Sequence, residues 1–353
     1  MPNYLDLFAG AGGLSEGFLQ AGYTPVAHIE MDEAACYTLK TRVAAKWLKD
    51  NGQEAVYNDY LNEKYSRNEF YSHVPEEELS SVLQREISQE SLPEIFSRID
   101  ERLGKRELDL IVGGPPCQAY SLAGRSRSKT KMRGDKRNYL YKLYAEFLKR
   151  YTPKFFVFEN VTGLLSAKDE DGKPHFKKMR DLFCECGYST NYSVLNAKDY
   201  GVLQNRKRII LVGKRNGEED YYPKLTQIHT DCVVGEIFSD LPHLHAGEGS
   251  PKPTPTLHYE GKYLYEAGIK REDLQPVTLH YARPNTEQDL EIYRLAVKRW
   301  TQDHQRIRYT DLPENLKTQK NTESFLDRFK VVAADEKVSQ TVVAHICKDG
   351  HYY

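Results

Sequence analysis

The segment "YLDLFAGAGGLSEGF", residues Tyr4–Phe18, joins an apolar run to a helix-like pattern through a cluster of glycines. Gly10, Gly12 and Gly13 stand where a strand would turn into a helix, and glycine lets the backbone turn sharply and a ligand approach closely. Glu30 ends the next apolar run, at the spacing where a carboxylate accepts ribose hydroxyls. Because the glycines do not follow the full G-x-G-x-x-G pattern, two interpretations stay open, an adenosyl-type ligand or a tight turn.

Apolar runs of strand length alternate with helix-length segments up to Arg215. The strand candidates are Tyr4–Phe8, Pro25–Ile29, Leu108–Val112, Phe155–Phe158 and Ile209–Val212, with one more directly before Asp59. Helices are predicted at Leu14–Ala21 and at Tyr139–Tyr151, the second ending before Pro153. This alternation predicts an α/β fold with a Rossmann-like parallel sheet and right-handed crossovers.

Residues 62–106 are predicted to form a helical insertion between strands. Two helical faces fit the spacing of the apolar side chains, namely Leu79, Val82, Leu83 and Ile87 for the first and Ile95, Phe96, Ile99 and Leu103 for the second. Acids and bases are mixed in this insertion, so we interpret it as a solvated cover in preference to a partner-binding element.

The character of the chain changes after Arg215, where Pro, Gly and His become frequent and periodicity weakens. One clear helix is predicted there, at Gln288–Trp300. We therefore predict two domains, a catalytic domain at 1–220 and a smaller, irregular recognition domain at 221–353.

Composition restricts the class of protein. The chain has 353 residues, a formal charge of -1, 39% hydrophobic and 29% charged residues, as is typical of a soluble globular protein. No apolar run approaches the roughly 20 residues that span a bilayer, and Asp6 lies in an N-terminus without a basic flank, so a secretory signal is not predicted. We expect a cytoplasmic protein with free thiols and, lacking any C-x-x-C pair, no bound metal.

Cys117 stands out within "IVGGPPCQAYSLAGRSRSKTKMRGDKR", residues Ile111–Arg137. It follows a predicted strand, where an open α/β sheet places its ligand site. Seven basic residues and one acid occupy Arg125–Arg137, and nearby cations lower a thiol pKa from about 8.5. A lone cysteine is more often a small buried hydrophobe, but this position favours a nucleophile.

Two further motifs carry charge at strand ends. In "FFVFENVTG" the carboxylate of Glu159 ends an apolar strand, where it is costly unless it is paired or catalytic. In "QNRKRIILVGKR" Arg206 and Arg208 lie two residues apart and could share one strand face. A helix cap and a solvated edge strand are the alternative interpretations.

Taken in order, FAGAGG, PPCQ, FENV and QNRKR closely resemble the motifs of the bacterial cytosine-C5 DNA methyltransferase family, from Tyr4 to about Arg215. The resemblance implies transfer of a methyl group from S-adenosylmethionine to a cytosine flipped out of double-stranded DNA, with S-adenosylhomocysteine as product and no metal. A restriction-modification or orphan bacterial system and a nucleoid-associated monomer are also implied.

The resemblance implies a cofactor site. Its residues would be Phe8, Ala9, Gly10, Gly12, Gly13, Glu30, Met31, Asp59 and Pro115. Glu30 would take the ribose hydroxyls, Met31 would pack on the adenine face, and Asp59 would accept the adenine amine.

It also implies roles around the cytosine. Cys117 would attack C6, Glu159 would bind N3 and the exocyclic amine, Arg208 the base oxygen and Arg206 a phosphate. Further DNA contacts would come from Gln118, Ser121, Gly124, Arg125, Arg127, Asn160 and Gln204. The loop Ala119–Arg137 would close over the flipped nucleotide.

Three alternatives are weighed against this interpretation. They are a tRNA cytosine methyltransferase of the same fold, a catalytically silent DNA-binding module and a Rossmann oxidoreductase. The tRNA enzymes carry a Cys-Phe-Thr stretch that this sequence lacks, and the intact catalytic residues argue against a silent module. The segment "EKVSQTVVAHICKDGHYY" resembles the approach to late family motifs that do not follow it, so the chain is expected to be a fragment.

Overall fold

In this computed structural model, the residues described are 1–116, 136–217, 221–257, 261–271, 275–320, 322 and 326–342, and the side chains of Lys136 and Arg137 are outside this description. The chain divides into two compact units. The first unit comprises Met1–Tyr57, Tyr65–Leu195 and Lys207–Leu225, and the second comprises Asn58–Lys64, Asn196–Arg206 and Thr226–Tyr353. Beside the long C-terminal stretch, the second unit therefore takes two short segments that lie within the predicted first domain.

The first unit is built on a seven-stranded sheet in the order β3-β2-β1-β4-β5-β7-β6. Its strands are β1 Asn3–Leu7, β2 Thr24–Glu30, β3 Val82–Gln84, β4 Leu110–Gly113, β5 Phe155–Asn160, β6 Tyr188–Asn196 and β7 Lys207–Arg215. The α/β fold class is confirmed, and five of the six strands predicted before Arg215 are present, with bounds shifted by up to three residues.

A parallel sheet was predicted, but the observed sheet is parallel only in part. The neighbouring pairs among β3, β2, β1, β4 and β5 are parallel, but β7 runs antiparallel to β5, with Glu159 opposite Ile210. Only residues 197–206 separate β6 from β7, too few for the crossover that parallel strands require. The chain therefore reverses there. The prediction missed β6, "YSTNYSVLN", because its polar residues conceal the strand pattern.

The described helices are α1 Gly13–Gln20, α2 Glu33–Asp50, α3 Glu54–Leu61, α4 Arg67–Ser72, α5 Glu76–Leu79, α6 Leu92–Leu103, α7 Leu140–Tyr151, α8 His175–Glu185, α9 Tyr263–Glu266 and α10 Glu287–Asp303. The predicted helices at α1, α6, α7 and α10 are confirmed. Within the part of the chain described, no helix is both long and apolar enough to cross a membrane.

Two local predictions were wrong. The apolar residues from Leu79 to Ile87 do not form one helix, because α5 ends at Leu79 and Val82–Gln84 pairs with β2 as a buried edge strand. The segment directly before Asp59 belongs to α3 and is a helix, where a strand had been predicted. In both places short runs of apolar residues fit either secondary structure, and pairing within the folded sheet decided between them.

Aromatic packing fills the core beside β5. Tyr144 on α7 is fully buried between Phe158 and Phe183, with ring centroids 5.4 and 5.9 Å away. Phe156 lies against Gly213 of β7 so closely that a Cβ at this glycine would overlap the phenyl ring. This packing sets β5, and the polar residues at its end, firmly in the middle of the sheet.

The second unit has little regular structure. Its main core forms around α10 and consists of Ile292, Ala296, Ile307, Tyr309, Leu312, Leu316 and Phe329. Thr286 caps this helix by accepting a hydrogen bond from Asp289 N. A two-stranded antiparallel ribbon pairs β8, Gly249–Ser250, with β9, His280–Tyr281.

A buried carboxylate joins three elements of the first unit. Asp169 accepts hydrogen bonds from Tyr139 Oη and Lys178 Nζ, both at 2.6 Å, and Lys178 also contacts Asp171 at 2.8 Å. Burial raises the pKa of Asp169, but these bonds outweigh burial and hold the pKa well below its usual range. The hydrogen bond with Asp169 raises the pKa of the Tyr139 hydroxyl to about 12. The charged form of Asp169 therefore stabilises the fold.

We expect Asp169→Asn to lower the stability of the first unit by about 1–3 kcal/mol at pH 7. The folded-state pKa is depressed, so this stabilisation is present above the unfolded pKa of about 3.9 and is lost as pH falls below it. Urea unfolding at pH 7 and at pH 3 measures the difference. Asp181→Asn is the control, since Asp181 pairs with Lys177 on an exposed surface, and an equal loss in both variants at pH 7 would contradict the prediction.

Candidate active site

The glycine-rich segment forms a left-handed turn between β1 and α1. Phe8, Gly10 and Gly12 have φ angles of 58°, 54° and 82°, values that favour glycine. A Cβ at Gly12 would stand 2.9 Å from Leu39 Cδ2 of α2, whereas a Cβ at Gly10 would have no neighbour within 4 Å. The positive φ and this close contact both favour glycine at position 12, and Gly10 leaves open space beside the start of α1 at Gly13.

Glu30 ends β2 beside this turn. Its Oε2 accepts a hydrogen bond from Gly10 N at 2.8 Å, and its Oε1 accepts from Met31 N at 2.8 Å and Asp32 N at 2.9 Å. A carboxylate offers about four lone pairs, so capacity remains for a further donor. Met31 is exposed beside it.

The wall behind Glu30 is apolar. Ala9 N donates to Ile29 O at 3.1 Å, and Ala9 packs on Cys36 and Leu39. Burial raises the pKa of the Cys36 thiol to about 11, which suppresses the thiolate that nucleophilic attack requires. Cys36 is therefore a structural residue.

An acid that was not predicted follows β3, the strand that pairs with the end of β2. In the parallel pair of β2 and β3, Glu30 is opposite Gln84, and Arg85 N donates to Glu30 O at 2.8 Å. Glu86 follows directly and is exposed, with Ile87 buried after it. The carboxyl ends of neighbouring parallel strands lie on the same side of a sheet. Glu86 therefore lies on the side of the sheet where Glu30 ends β2.

Asp59 has different surroundings from those predicted. It lies within α3, in a segment of the second unit, and its carboxylate pairs with Lys64 at 2.7 Å. The expectation of a strand-end acid at this position was wrong, because residues 54–61 are helical. Glu86, and not Asp59, follows the third strand of the sheet.

Glu159 and Arg208 meet across β5 and β7. Arg208 Nε lies 2.7 Å from Glu159 Oε1, and the two side chains are 21% and 32% exposed. Arg208 Nη1 also donates to Lys207 O at 2.9 Å. The carboxylate of Glu159 is therefore paired with a cation at the end of β5 and is open in part to solvent.

The segment that leads to Cys117 is built against β5. A Cβ at Gly114 would overlap the carbonyl oxygen of Glu159 and stand 3.1 Å from its Oε2. Asn160 is 1% exposed, and its Nδ2 donates to Pro115 O at 3.2 Å. The buried amide of Asn160 thus holds the segment that leads to Cys117, and its expected DNA contact stays a prediction.

Several predicted site residues lie outside the described residues. They are Cys117, Gln118, Ser121, Gly124, Arg125 and Arg127, and the same applies to most of the expected closing loop 119–137. On either side of these residues, the structure describes Pro116, which follows Pro115, and a turn of helix at Lys136–Tyr139, which precedes α7.

Gln204 and Arg206 belong to the second unit, whereas Arg208 belongs to the first. Gln204 Oε1 accepts from Val342 N at 3.3 Å, and Arg206 Nη1 donates to Val342 O at 3.5 Å. Asn205 N donates to Ser339 O at 2.9 Å. These contacts bind the segment before β7 to residues 339–342.

The family of the chain follows from comparison with known proteins. The family model of C-5 cytosine-specific DNA methylases matches residues 3–65 and 67–339. The chain belongs to this family. It is accordingly a cytosine-C5 DNA methyltransferase, and this match favours the DNA enzyme over the tRNA alternative.

Individual relatives agree with this family. The methylase is 38% identical to the Type II methyltransferase M.Bpa9945I of Bacillus paralicheniformis, over 99% of this chain and 85% of that protein. It is 32% identical to M1.HphI of Haemophilus parahaemolyticus over 70% of this chain, and 34% identical to M.XorII of Xanthomonas oryzae over 80%. It spans 55% and 56% of those two proteins.

A solved structure shares the fold. A prophage-encoded protein of Escherichia coli, named as a DNA modification methyltransferase, superimposes with a TM-score of 0.54 at 18% identity. The match covers 97% of this methylase and 82% of that chain.

Methylases of this family use S-adenosylmethionine, and the described residues fit it. The open space at Gly10 admits a ligand close to the backbone, and the fixed carboxylate of Glu30 can accept from a hydroxyl. The fit concerns the first unit alone, which holds the glycine turn, Glu30 and Glu86.

Proposed function

We propose that this methylase transfers a methyl group to C5 of a flipped cytosine in double-stranded DNA, with Cys117 as nucleophile and Glu159 as acid. The observation that carries the proposal is the carboxylate of Glu159, paired with Arg208 and packed against Gly114 three residues before Cys117. The carboxylate of Glu159, the guanidinium of Arg208 and the segment that leads to Cys117 thus lie together at the carboxyl end of β5.

The reaction requires a nucleophile because C5 of cytosine is too electron-poor to accept a methyl group directly. In our proposal the Cys117 thiolate forms a bond to C6, and the electron pair displaced from the C5–C6 double bond gives an enamine with charge at N3. The carboxylic acid of Glu159 donates a proton to N3. After C5 is methylated, solvent takes the C5 proton, the C6–S bond breaks to release the thiolate, and N3 returns its proton to the Glu159 carboxylate, which restores the ring.

Arg208 is proposed to serve two partners. Its Nε is bonded to Glu159 and one Nη to Lys207 O, but a guanidinium has five donors. The remaining donors suit the cytosine carbonyl oxygen. Arg206, on the second unit, is proposed to hold a phosphate, where a contact adds affinity without sequence information.

S-adenosylmethionine supplies the electrophilic methyl group when bound. We propose that Phe8, Ala9, Gly10, Gly12 and Gly13 line its site, together with Met31 and Pro115. Glu30 takes the ribose hydroxyls, and Glu86 replaces Asp59 as the acceptor for the adenine amine, because Glu86 follows β3 and Asp59 pairs with Lys64 within a helix.

The partner and setting are also proposals. The substrate is duplex DNA, read by the second unit, in a restriction-modification system such as the Type II names of the relatives suggest. We propose a monomer that works at the bacterial nucleoid.

Transfer of tritium from labelled S-adenosylmethionine tests the proposed function. We expect incorporation into duplex DNA and none into tRNA, because the family match is to DNA methylases. Sequencing of methylated cytosines in DNA from cells that express the protein locates the target. Incorporation into tRNA alone would sink the proposal.

The cofactor assignment makes a separate prediction. Glu86→Ala is expected to weaken S-adenosylmethionine binding about tenfold or more, since a hydrogen bond to a charged group is worth about 1.5–3 kcal/mol. Asp59→Ala is the matched control and should bind as the wild type does. Calorimetry measures both, and a loss confined to Asp59→Ala would restore the original assignment.

A further inference from the structure

The ribbon, residues 248–254 and 277–282 of the second unit, carries two exposed apolar side chains with no role so far. Gly249 pairs with Tyr281, and Ser250 pairs with His280. Thr254 and Val277 exchange backbone hydrogen bonds of 2.9 and 2.8 Å farther along. The ribbon is therefore a short, hydrogen-bonded element standing in an otherwise irregular unit.

Leu279 has an unusual backbone. Its φ is 55°, in the left-handed region that a residue with a Cβ seldom adopts, and its side chain is 70% exposed. Tyr281, two residues on, is 59% exposed. Strained residues persist where the surrounding structure holds them and often mark functional sites. Burial does not explain the strain at Leu279, because its side chain faces solvent.

The neighbours of Leu279 hold this conformation in place. Between the two exposed side chains, His280 Nε2 donates to Pro242 O at 2.8 Å. On the facing strand, Gly249 approaches so closely that a Cβ there would overlap His280 O and stand 2.7 Å from Tyr281 Cα. The ribbon therefore presents Leu279 and Tyr281 on a fixed backbone.

The two segments of the ribbon carry more cations than acids, which favours an anionic partner. Residues 248–254 and 277–283 contain the cations Lys252 and Arg283 and one acid, Glu248. Glu248 is engaged in the local turn, where its carboxylate accepts from His245 N at 2.8 Å. Exposed apolar side chains flanked by cations suit a partner whose surface carries methyl groups with phosphates on either side.

We propose that this ribbon enters the major groove of the substrate DNA, with Leu279 contacting the C5-methyl group of a thymine and Tyr281 packing beside it. The major groove admits a two-stranded β-ribbon, and thymine offers there a methyl group that apolar side chains recognise. The inference rests on the proposed function. It specifies one base of the recognition sequence, a thymine that Leu279 contacts.

The experiment uses the full chain and a duplex library randomised around a cytosine, with methylated sites read by sequencing. The selected duplex is then remade with deoxyuridine in place of each thymine in turn, which deletes only the methyl group. For the wild type we expect a rate loss of about fourfold at one position, the equivalent of one buried methyl.

Leu279→Gly tests the contact without threatening the fold, because glycine adopts this φ without strain. We expect the variant to unfold at the same or a higher temperature and to methylate the thymine and deoxyuridine duplexes at equal rates. Tyr281→Ala should broaden the sequences recovered from the library. Tyr265→Ala, 73% exposed on α9 of the same unit, is the control and should leave the library profile unchanged.

The outcomes separate this inference from the proposed function. Wild-type methylation with no effect of any deoxyuridine, or the same effect in Leu279→Gly, would overturn the ribbon's role and leave the function standing. A wild-type chain that methylates no duplex would overturn both. A dimer in sedimentation that Leu279→Gly converts to monomer would assign the side chain to a second copy and overturn the DNA contact.

Discussion

Cys117→Ala is expected to abolish DNA methylation, with kcat falling by on the order of 10⁴-fold or more. Without the thiolate, no bond forms to C6 and C5 never acquires the electron density that methyl transfer requires. Binding of duplex DNA and of S-adenosylmethionine should change little, because the variant removes one sulfur atom. Single-turnover assays with labelled cofactor measure the loss separately from binding.

A covalent trap identifies the residue independently. DNA with 5-fluorocytosine at the target position should become linked to the wild-type protein in the presence of S-adenosylmethionine, because fluorine at C5 blocks the elimination that releases the enzyme. Cys184→Ala removes an exposed thiol on α8 and serves as the control; it should form the adduct normally. An adduct that persists in Cys117→Ala would assign the nucleophile to another cysteine.

Glu159→Gln is expected to have the second-largest effect, a loss in kcat of about 10²–10⁴-fold. The amide keeps the size and part of the hydrogen bonding of the carboxylate, but it cannot release a proton to N3 as charge develops there. KM for DNA should change far less than kcat. Glu185→Gln, an exposed position on α8, provides the control, and a Glu159→Gln variant with wild-type kcat would contradict the role as acid.

Arg208→Ala separates positioning from acid catalysis. It removes the 2.7 Å contact that orients Glu159, and misplacement of a catalytic group can lower the rate about 10²-fold. In the double variant with Glu159→Gln the two losses should not add, because both act through the same carboxylate. Fully additive losses would show that Arg208 works without Glu159.

Sequence patterns predicted the fold where the pattern was local. The glycine turn, the apolar runs of β1, β2, β4, β5 and β7, and the helices α1 and α7 all have lengths and end signals that a short window contains. Strand β3 could not be predicted in this way, because a strand of three residues is too short to show an alternating pattern. The segment from Leu79 to Ile87 fitted a helix equally well, and only the pairing of Val82–Gln84 with β2 decided its conformation.

The same limit explains the errors in the candidate site. Asp59 was chosen because it follows a predicted third strand, and Glu86 was overlooked because that strand had been placed too early in the chain. The motif of Asn160 did not indicate that its buried amide would donate to Pro115 O. Glu86 lies 27 positions after Asp59 in the sequence, and Pro115 follows β4 whereas Asn160 ends β5.

By itself, the sequence determined the α/β class, the family and the chemical types at the site, because each follows from residues within a few positions of one another. The tertiary structure alone decided the antiparallel course of β7, the ion pair of Glu159 with Arg208, the edge position of Glu86, the division of Arg206 and Arg208 between two units and the left-handed backbone of Leu279. These features depend on contacts between residues far apart in the chain. Such contacts form only when burial and hydrogen bonding of the whole sheet or ribbon offset the cost of ordering it, and no local pattern records that balance.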